Sequence, residues 1–137
     1  MGHRETPLMR NVQLELGGRE GIKLFRNDIG TGYQGKAYNY AGGGVVIPNP
    51  RRVSYGLHPG SPDLVGWRSI EITPDMVGAT VAVFVGVETK AKGGRVQPNQ
   101  RNFLETLQQG GGLAGVARSV DEAVEIVAPD GRPARTG

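Results

Sequence analysis

An apolar segment that ends in two charged residues places the strongest constraint on how this chain can fold. Residues 81–90 read Val-Ala-Val-Phe-Val-Gly-Val-Glu-Thr-Lys, and glycines bound the segment on both sides. A short, β-branched run of this kind predicts a β-strand. Because the strand is apolar on both faces, we expect it to lie buried in the middle of a sheet. Glu88 and Lys90 then share one face at its end, about 7 Å apart, where unpaired charge is costly.

Asp63 offers a partner for these charges. It precedes Leu-Val-Gly-Trp, which reads as the start of a second strand. If the two strands pair as a hairpin, the carboxylates of Asp63 and Glu88 lie side by side and repel unless a proton or a cation lies between them. Such hard oxygen ligands suit Mg²⁺ or Mn²⁺, an ion that can assist phosphate hydrolysis. The alternative is an ion pair of Lys90 with either carboxylate on a solvated strand end.

A helix that follows the segment carries a polar residue on its apolar face. This helix is predicted to begin near Pro98, and Phe103, Leu104 and Leu107 form its apolar stripe. Gln100 lies three residues before Phe103, so it shares the face of that stripe. A buried glutamine needs hydrogen-bond partners, which the groups of an active site would supply. The alternative is a glutamine that only caps the helix.

Shorter patterns predict the remaining elements. They indicate a first helix over residues 8–16, a first strand over residues 22–27 and a last strand over residues 113–117. A capping box of Ser119 and Glu122 opens the final helix. The predicted class is therefore α/β, with a mixed sheet flanked by helices in a single domain.

Three motifs occur in a fixed order: Gly-Ser-Pro-Asp63-Leu-Val, then Val-Glu88-Thr-Lys90, then Gly94-Arg-Val-Gln-Pro-Asn-Gln100. As a set they resemble the VRR-NUC family of the PD-(D/E)XK nuclease superfamily, and the flanking segments resemble its small stand-alone members from phages and prophages. The resemblance implies a restriction-endonuclease-like fold. It predicts a frayed N-terminus over residues 1–7, a nuclease domain over residues 8–127 and a loose tail over residues 128–137.

The resemblance also implies a role for each motif residue. Asp63 and Glu88 would be metal ligands, with the backbone carbonyl of Thr89 as a third ligand. Lys90 would be the catalytic lysine. Gln100 would be the glutamine that the family carries on a helix. These residues together imply a Mg²⁺- or Mn²⁺-dependent endonuclease that hydrolyses DNA phosphodiester bonds.

Family members often add an acidic residue on the first helix, and both Glu5 and Glu15 are candidates for that role. The small members resemble junction-resolving enzymes that act as dimers. The resemblance therefore implies structured or branched DNA as the substrate and a homodimer as the active form. The alternative function is a non-catalytic DNA-binding or structural phage protein that retains the nuclease fold.

Composition agrees with a nucleic-acid partner and excludes other classes. The net charge of +3 and the pI near 9.5 suit a polyanion. The chain has no Cys, which excludes disulfides and thiolate metal sites. A Gly-rich stretch ending in Lys36-Ala37 fails as a nucleotide-binding loop, because Ala37 replaces the hydroxyl residue that holds magnesium. With no signal peptide or long apolar run, we expect a soluble cytoplasmic protein (host cytoplasm if phage-encoded) with no membrane contact.

Basic residues predict a DNA-facing surface. Residues 28–61 are rich in glycine and proline and read as a long connection with a short strand at 45–47. Their mixture of cations and tyrosines can bind backbone phosphates and stack on unpaired bases. The alternative is a surface loop whose tyrosines pack onto the sheet. The DNA-binding candidates are Arg26, Asn27, Lys36, Arg51, Arg52, Lys92 and Arg95.

Overall fold

A computed structural model describes residues 6–129, which form three α-helices and eight β-strands. In chain order these are α1 (Pro7–Gly17), β1 (Ile22–Arg26), β2 (Gly30–Gln34), β3 (Tyr38–Tyr40), β4 (Gly44–Val46), β5 (Arg51–Tyr55), β6 (Leu64–Arg68), β7 (Val85–Thr89), α2 (Pro98–Gln109), β8 (Leu113–Ala117) and α3 (Val120–Val127). The described residues divide into two compact units, a first unit that ends at Gly66 and a second unit that begins at Trp67. The predicted mixed α/β class is confirmed, whereas the predicted domain limits stay a prediction.

The strands of the described residues form four two-stranded pairs rather than one mixed sheet: β1 with β6, β2 with β5, β3 with β4 and β7 with β8. The hairpin predicted between the strands at Asp63 and Glu88 is wrong, since β6 pairs with β1 and β7 pairs with β8. The β7–β8 pair is parallel. Parallel neighbours need a crossover connection, and α2 lies between these two strands in the chain, so β7 finds its partner beyond the helix.

Residues 28–61 contain four strands, whereas the sequence predicted a long connection with one short strand at 45–47, which β4 overlaps. β2 pairs with β5 from Gly30 opposite Tyr55 to Gln34 opposite Arg51, and the β3–β4 hairpin lies between them in the chain. Glycine is a poor strand former. Because β2 contains two glycines, its sequence does not predict a strand. In the folded chain the ring of Tyr55 covers them, because a Cβ on Gly30 would lie 2.7 Å from Cζ of Tyr55. An aromatic ring that packs over a strand glycine stabilises such a ribbon.

The strand that carries Glu88 is shorter and more exposed than predicted. β7 begins at Val85, and Val81 and Val83 before it have 48% and 49% of their surface exposed. The prediction of a fully buried central strand is therefore wrong for the described residues. β-branched residues favour strand geometry wherever they occur, but burial depends on a second strand or a helix that covers them.

The buried core lies in the second unit, where α2 packs against β7 and β8. Leu104 and Leu107 of α2 and Ala114 of β8 form this core, and Leu107 is completely inaccessible to solvent. The helix approaches the strand closely because β7 has a glycine there, and a Cβ on Gly86 would lie 2.9 Å from Cδ2 of Leu107. The core therefore fixes α2 relative to β7, and with it the residues at the end of that strand.

The predicted start of α3 is confirmed in one of its two contacts. Ser119 Oγ accepts the backbone N–H of Glu122 at 3.1 Å, as an N-cap serine does. The carboxylate of Glu122 accepts the backbone N–H of Arg118 instead of that of Ser119. The same two side chains are thus used, but the second bond satisfies a donor one residue earlier than a capping box requires.

Candidate active site

Glu88, Lys90 and Gln100 form one cluster at the end of β7. Nζ of Lys90 lies 3.1 Å from Oε1 of Glu88, and Nε2 of Gln100 donates to the same oxygen at 2.8 Å. The side chains of Lys90 and Glu88 are 19% and 29% exposed. The ion pair that the sequence offered as the alternative is present, but it is largely shielded and belongs to a three-residue cluster.

The backbone of β7 determines where the two charges lie. Residues two apart on a strand point to the same side, so Glu88 and Lys90 share a face. Glu88 lies opposite Val116 in the β7–β8 pair, and the backbone N–H of Lys90 donates to the carbonyl of Ala117 at 3.0 Å. This bond continues the ladder one residue past the strand. Both charged residues are therefore attached to regular, paired backbone, which holds side chains more firmly than a loop does.

Gln100 caps its helix and contacts Glu88 at the same time. Its Oε1 accepts the backbone N–H of Gln97 at 2.9 Å, just before the first turn of α2, and its Nε2 donates to Glu88. A carboxamide has one acceptor oxygen and one donor nitrogen. Because the cap occupies the oxygen, the nitrogen must face the carboxylate. Gln100 therefore caps α2, as the alternative held, and its other bond goes to Glu88, while its role in an active site stays a prediction.

Glu88 retains an oxygen that could serve a metal ion. Both contacts engage Oε1, and within residues 6–129 no side chain is bonded to Oε2. The same residues contain no group of three His, Cys, Asp or Glu side chains that could hold a metal by themselves. Mg²⁺ binds through one or two carboxylates and keeps several waters. A carboxylate oxygen next to the backbone carbonyl of Thr89 fits the donor chemistry of that ion, although protein groups alone would not complete its shell.

Asp63 lies in the first unit, immediately before β6, with an exposed side chain. Its backbone carbonyl accepts the N–H of Asn27 at 2.8 Å. The Asn27 carboxamide donates to Oγ of Ser61 at 2.7 Å and to the carbonyl of Pro62 at 2.9 Å, and it accepts the N–H of Leu57 at 2.9 Å. Asn27 is only 7% exposed. Asn27 was predicted to contact a DNA phosphate, and that prediction is wrong because its side chain is buried. It forms hydrogen bonds that hold residues 57–63 in place.

The two candidates for an additional acid have different outcomes. Glu5 lies outside the described residues. Glu15 lies on α1, where its carboxylate is 73% exposed and pairs with Arg19 at 3.0 Å. This is a surface pair one helical turn apart, and such pairs contribute little to stability. The structure therefore gives Glu15 a partner on its own helix.

Six of the predicted DNA-binding residues are exposed cations. Arg26 forms an ion pair with Asp28 at 3.3 Å, and Arg51 donates to Oε1 of Gln34 at 3.0 Å. The others in the exposed class are Lys36, Arg52, Lys92 and Arg95. Exposed guanidinium and ammonium groups suit phosphate contacts because their charge is not enclosed by the protein.

Arg118 is a residue that the sequence did not single out. It follows β8, and its guanidinium donates to the carbonyls of Ala91 and Gly94, both at 2.8 Å. These carbonyls belong to the turn that carries Lys92 and precedes Arg95. The planar fork of an arginine can hold two carbonyls at once, so Arg118 fixes the turn after the cluster. A lone basic residue after a strand has no pattern that would predict this contact.

Glu88 and Lys90 at the end of β7, with Gln100 of α2 bonded to Glu88, are the motif residues that the structure brings together. The family model of the VRR-NUC domain matches residues 50–121, just over half of the chain, and the chain belongs to this family. Membership implies nuclease activity and confirms the family predicted from the motifs. No curated protein and no solved structure matches the chain. Within residues 6–129, no helix is long and apolar enough to cross a membrane.

Proposed function

We propose that the protein is a Mg²⁺- or Mn²⁺-dependent endonuclease of restriction-endonuclease-like fold that hydrolyses phosphodiester bonds in structured or branched DNA. The observation that carries the proposal is the convergence of Lys90 and Gln100 on one oxygen of Glu88. Ion pairs near a protein surface contribute little to stability. A carboxylate held by both a carboxamide and an ammonium group, in a nuclease family, is better explained as positioned charge for catalysis.

Each residue of the proposed site has its own role. Glu88, Asp63 and the carbonyl of Thr89 would hold the divalent ion, which when bound neutralises charge on the phosphate and makes water more acidic. The ammonium of Lys90 orients the attacking water or stabilises the negative charge that develops on the phosphate. Nε2 of Gln100 donates to Oε1 of Glu88. This bond orients the carboxylate and leaves Oε2 of Glu88 available. The assignment of Asp63 is supported by its motif, Gly-Ser-Pro-Asp63-Leu-Val, which resembles that of the family.

The exposed cations would bind the phosphates of the DNA backbone. Contacts to phosphates position a protein on DNA without reading its sequence. The set that we assign to this role is Arg26, Lys36, Arg51, Arg52, Lys92 and Arg95. Asn27 leaves this set because its carboxamide is buried and fully engaged within the chain.

We also propose that the protein is of the phage type, resides in the cytoplasm and acts as a homodimer. Support comes from the segments around Phe25 and Leu57, which resemble phage and prophage members of the family. A two-fold dimer presents two equivalent sites, as cutting of two strands at a junction requires. Sedimentation velocity at micromolar protein should show a dimer, and a monomer bound singly to junction DNA would remove this part of the proposal.

The proposal is tested by cleavage of four-way-junction, flapped and linear duplex DNA in Mg²⁺, in Mn²⁺ and in chelator. We expect cleavage only with a metal ion, and fastest on the branched substrates. Replacement of Glu88 by Gln removes a ligand charge while keeping the shape of the side chain. Glu88→Gln should therefore lower the rate by on the order of 10²-fold or more, and Lys90→Ala should have a similar effect.

Glu105→Gln is the matched control, because Glu105 is an exposed carboxylate of α2 in the same unit. It should cleave at the rate of the unaltered protein. A folded Glu88→Gln or Lys90→Ala protein that cuts as fast as the unaltered protein would contradict the catalytic proposal. Tight DNA binding without cleavage in either metal would instead favour the non-catalytic DNA-binding protein.

The part of the proposal that concerns Asp63 has a separate test. Titration of Mn²⁺ into the protein without DNA measures metal affinity directly, and Asp63→Asn should bind the ion more weakly than the unaltered protein. Asp75→Asn is the control, because the carboxylate of Asp75 accepts a hydrogen bond from Thr73 in a turn. Equal Mn²⁺ affinity for Asp63→Asn and the unaltered protein would remove Asp63 from the ligand set.

A further inference from the structure

The positive charge of this protein comes from one continuous segment. Residues 29–62 contain three of the 16 basic residues and none of the 13 acidic residues, so the rest of the chain is balanced at 13 of each. This segment forms the β2–β5 ribbon and the β3–β4 hairpin. Its three cations are Lys36, Arg51 and Arg52, and all are exposed. A surface with cations and no carboxylates suits a polyanion.

Tyr38 and Tyr40 lie next to each other on one face of β3. They pair with Val46 and Gly44 of β4, and 49% and 64% of their surfaces are exposed. Residues two apart on a strand are about 7 Å apart, whereas stacked bases in a DNA strand are about 3.4 Å apart. Two rings about 7 Å apart on a β-strand are therefore too far apart for two bases of a stacked DNA strand. They match two successive bases only where the nucleic acid is extended and unstacked.

Two contacts hold these rings in place although they are exposed. Nζ of Lys36 lies 5.3 Å from the centre of the Tyr38 ring, within the range of a cation–π interaction. The turn packs against Tyr40, since a Cβ on Gly42 would lie 2.9 Å from its Cε1. The ammonium of Lys36 is also positioned for the phosphate of a nucleotide whose base contacts Tyr38. Each ring is thus pre-oriented, which reduces the entropy lost on binding.

The other two tyrosines do not share this arrangement. The ring of Tyr55 covers Gly30 and so has a packing role in the β2–β5 ribbon. Tyr33 is 65% exposed and lies opposite Arg52 in the β2–β5 ribbon, where it is a single ring. The consecutive pair on β3 is therefore a distinct feature of the hairpin.

We infer that Tyr38 and Tyr40 form a stacking platform for two consecutive unpaired nucleotides, and that Lys36 neutralises a phosphate between them. Stacking of bases on aromatic side chains is the common mode by which single strands are bound without sequence preference. The inference rests on the proposed function in that the ligand is DNA. It adds the part of the substrate that is recognised: a single-stranded flap, a splayed arm or an opened branch point, in preference to a perfect duplex.

The experiment measures binding by fluorescence anisotropy in chelator, so that cleavage does not interfere. The ligands are a duplex with a single-stranded dT flap and a blunt duplex of the same length. The double variant Tyr38→Leu/Tyr40→Leu keeps apolar side chains but has no rings. We expect its affinity for the flapped DNA to fall about tenfold or more and its affinity for the blunt duplex to change less than about twofold. Tyr38→Phe/Tyr40→Phe keeps both rings and should bind both ligands normally.

A second readout reports stacking itself. An oligonucleotide with 2-aminopurine in the flap loses fluorescence when that base stacks on a ring. The unaltered protein and the double Phe variant should quench it, and the double Leu variant should not. Tyr33→Leu is the matched control, because Tyr33 is as exposed as Tyr40, and it should quench normally. Circular dichroism and thermal unfolding establish that each variant is folded; if the double Leu variant is not folded, Tyr40→Leu alone takes its place.

Three results would overturn the inference: normal flap binding by the folded Leu variant, an equal loss of flap and blunt-duplex binding, or a change in self-association on sedimentation. The last result would identify the hairpin as an interface between two copies, for which exposed Val45 and Val46 would be the apolar part. Failure of the proposed activity is distinguishable from these outcomes. In that case the unaltered protein binds the flap and quenches 2-aminopurine in chelator but cleaves none of the DNA substrates in Mg²⁺ or Mn²⁺.

Discussion

The two units of this chain differ in what holds their side chains. The second unit contains a packed core of Leu104, Leu107 and Ala114, and the cluster around Glu88 is attached to the strand and the helix that this core joins. In the described part of the first unit the one buried residue is the polar Asn27, at 7% exposure. A catalytic group requires a fixed geometry, whereas a surface for a deformable polyanion requires exposed charge and rings. The chain places Glu88, Lys90 and Gln100 where packing is tight and its uncompensated charge where packing is open.

The largest expected effect tests whether stability does reside in the second unit. Leu107 is completely buried and Leu14 of α1 is 66% exposed. Leu107→Ala leaves a cavity and should lower the free energy of unfolding by about 2–5 kcal/mol, while Leu14→Ala should change it by about 0.5 kcal/mol or less. Urea unfolding followed by circular dichroism measures both. Equal effects of the two substitutions would contradict the difference between the units.

A matched pair of glycines tests the same difference by adding one methyl group. On Gly112, a Cβ would lie 2.8 Å from Cγ of Leu107 and 2.9 Å from the carbonyl oxygen of Phe84, whereas on Gly44 it would meet nothing within 4 Å. Gly112→Ala should lower the free energy of unfolding by about 1–3 kcal/mol because it overpacks the core. Gly44→Ala should be neutral or slightly stabilising. Thermal unfolding of both variants measures the two effects. A larger loss of stability in Gly44→Ala than in Gly112→Ala would contradict the difference between the units.

Gln100 connects the packing of the second unit to its proposed chemistry. Gln100→Glu keeps an oxygen for the N–H of Gln97 but places a second carboxylate against Glu88, where like charges repel. We expect cleavage to fall about tenfold or more, with a loss of stability of about 1 kcal/mol for the missing hydrogen bond. Gln109→Glu, at the exposed end of α2, is the control. Cleavage rates and unfolding curves separate the two effects, and an unchanged rate would show that Gln100 only caps the helix.

The smallest expected effect concerns single cations of the first unit. Arg52→Ala should weaken DNA binding a few-fold and lower the slope of log affinity against log salt by about 0.9, the value for one phosphate contact. Arg19→Ala removes the same charge from α1, where Arg19 pairs with Glu15, and should leave the slope unchanged. Anisotropy titrations between low and moderate salt provide both values. If the salt dependence of DNA affinity falls equally in the two variants, binding depends on the net charge of the protein and not on the position of the cation in the β2–β5 ribbon.

Local patterns predicted α1 and β1 of the first unit and α2 and β8 of the second unit, but not the β2–β5 ribbon. α2 begins at Pro98 and β8 covers residues 113–117, as their periodicity indicated. The pattern of residues 30–55 predicts a connection rather than the β2–β5 ribbon, because glycine-rich strands have no signal of their own. Their strand character comes from a partner about 20 residues away and from the ring of Tyr55 over Gly30. The valines before β7 are the converse case, because their strong strand pattern predicts burial whereas in the structure they are exposed.

By itself, the sequence determined which chemical groups are available and which of them share a face. The alternation of a strand places Glu88 and Lys90 on one side whatever the rest of the chain does, and the order of the motifs identified the family. Only the folded chain selects the partners: Gln100 bonds to Glu88, Asn27 is buried against the segment that precedes Asp63, and Arg118 holds the turn after the cluster. Periodicity is a property of neighbouring residues, whereas these contacts form only when distant parts of the chain are brought together by packing.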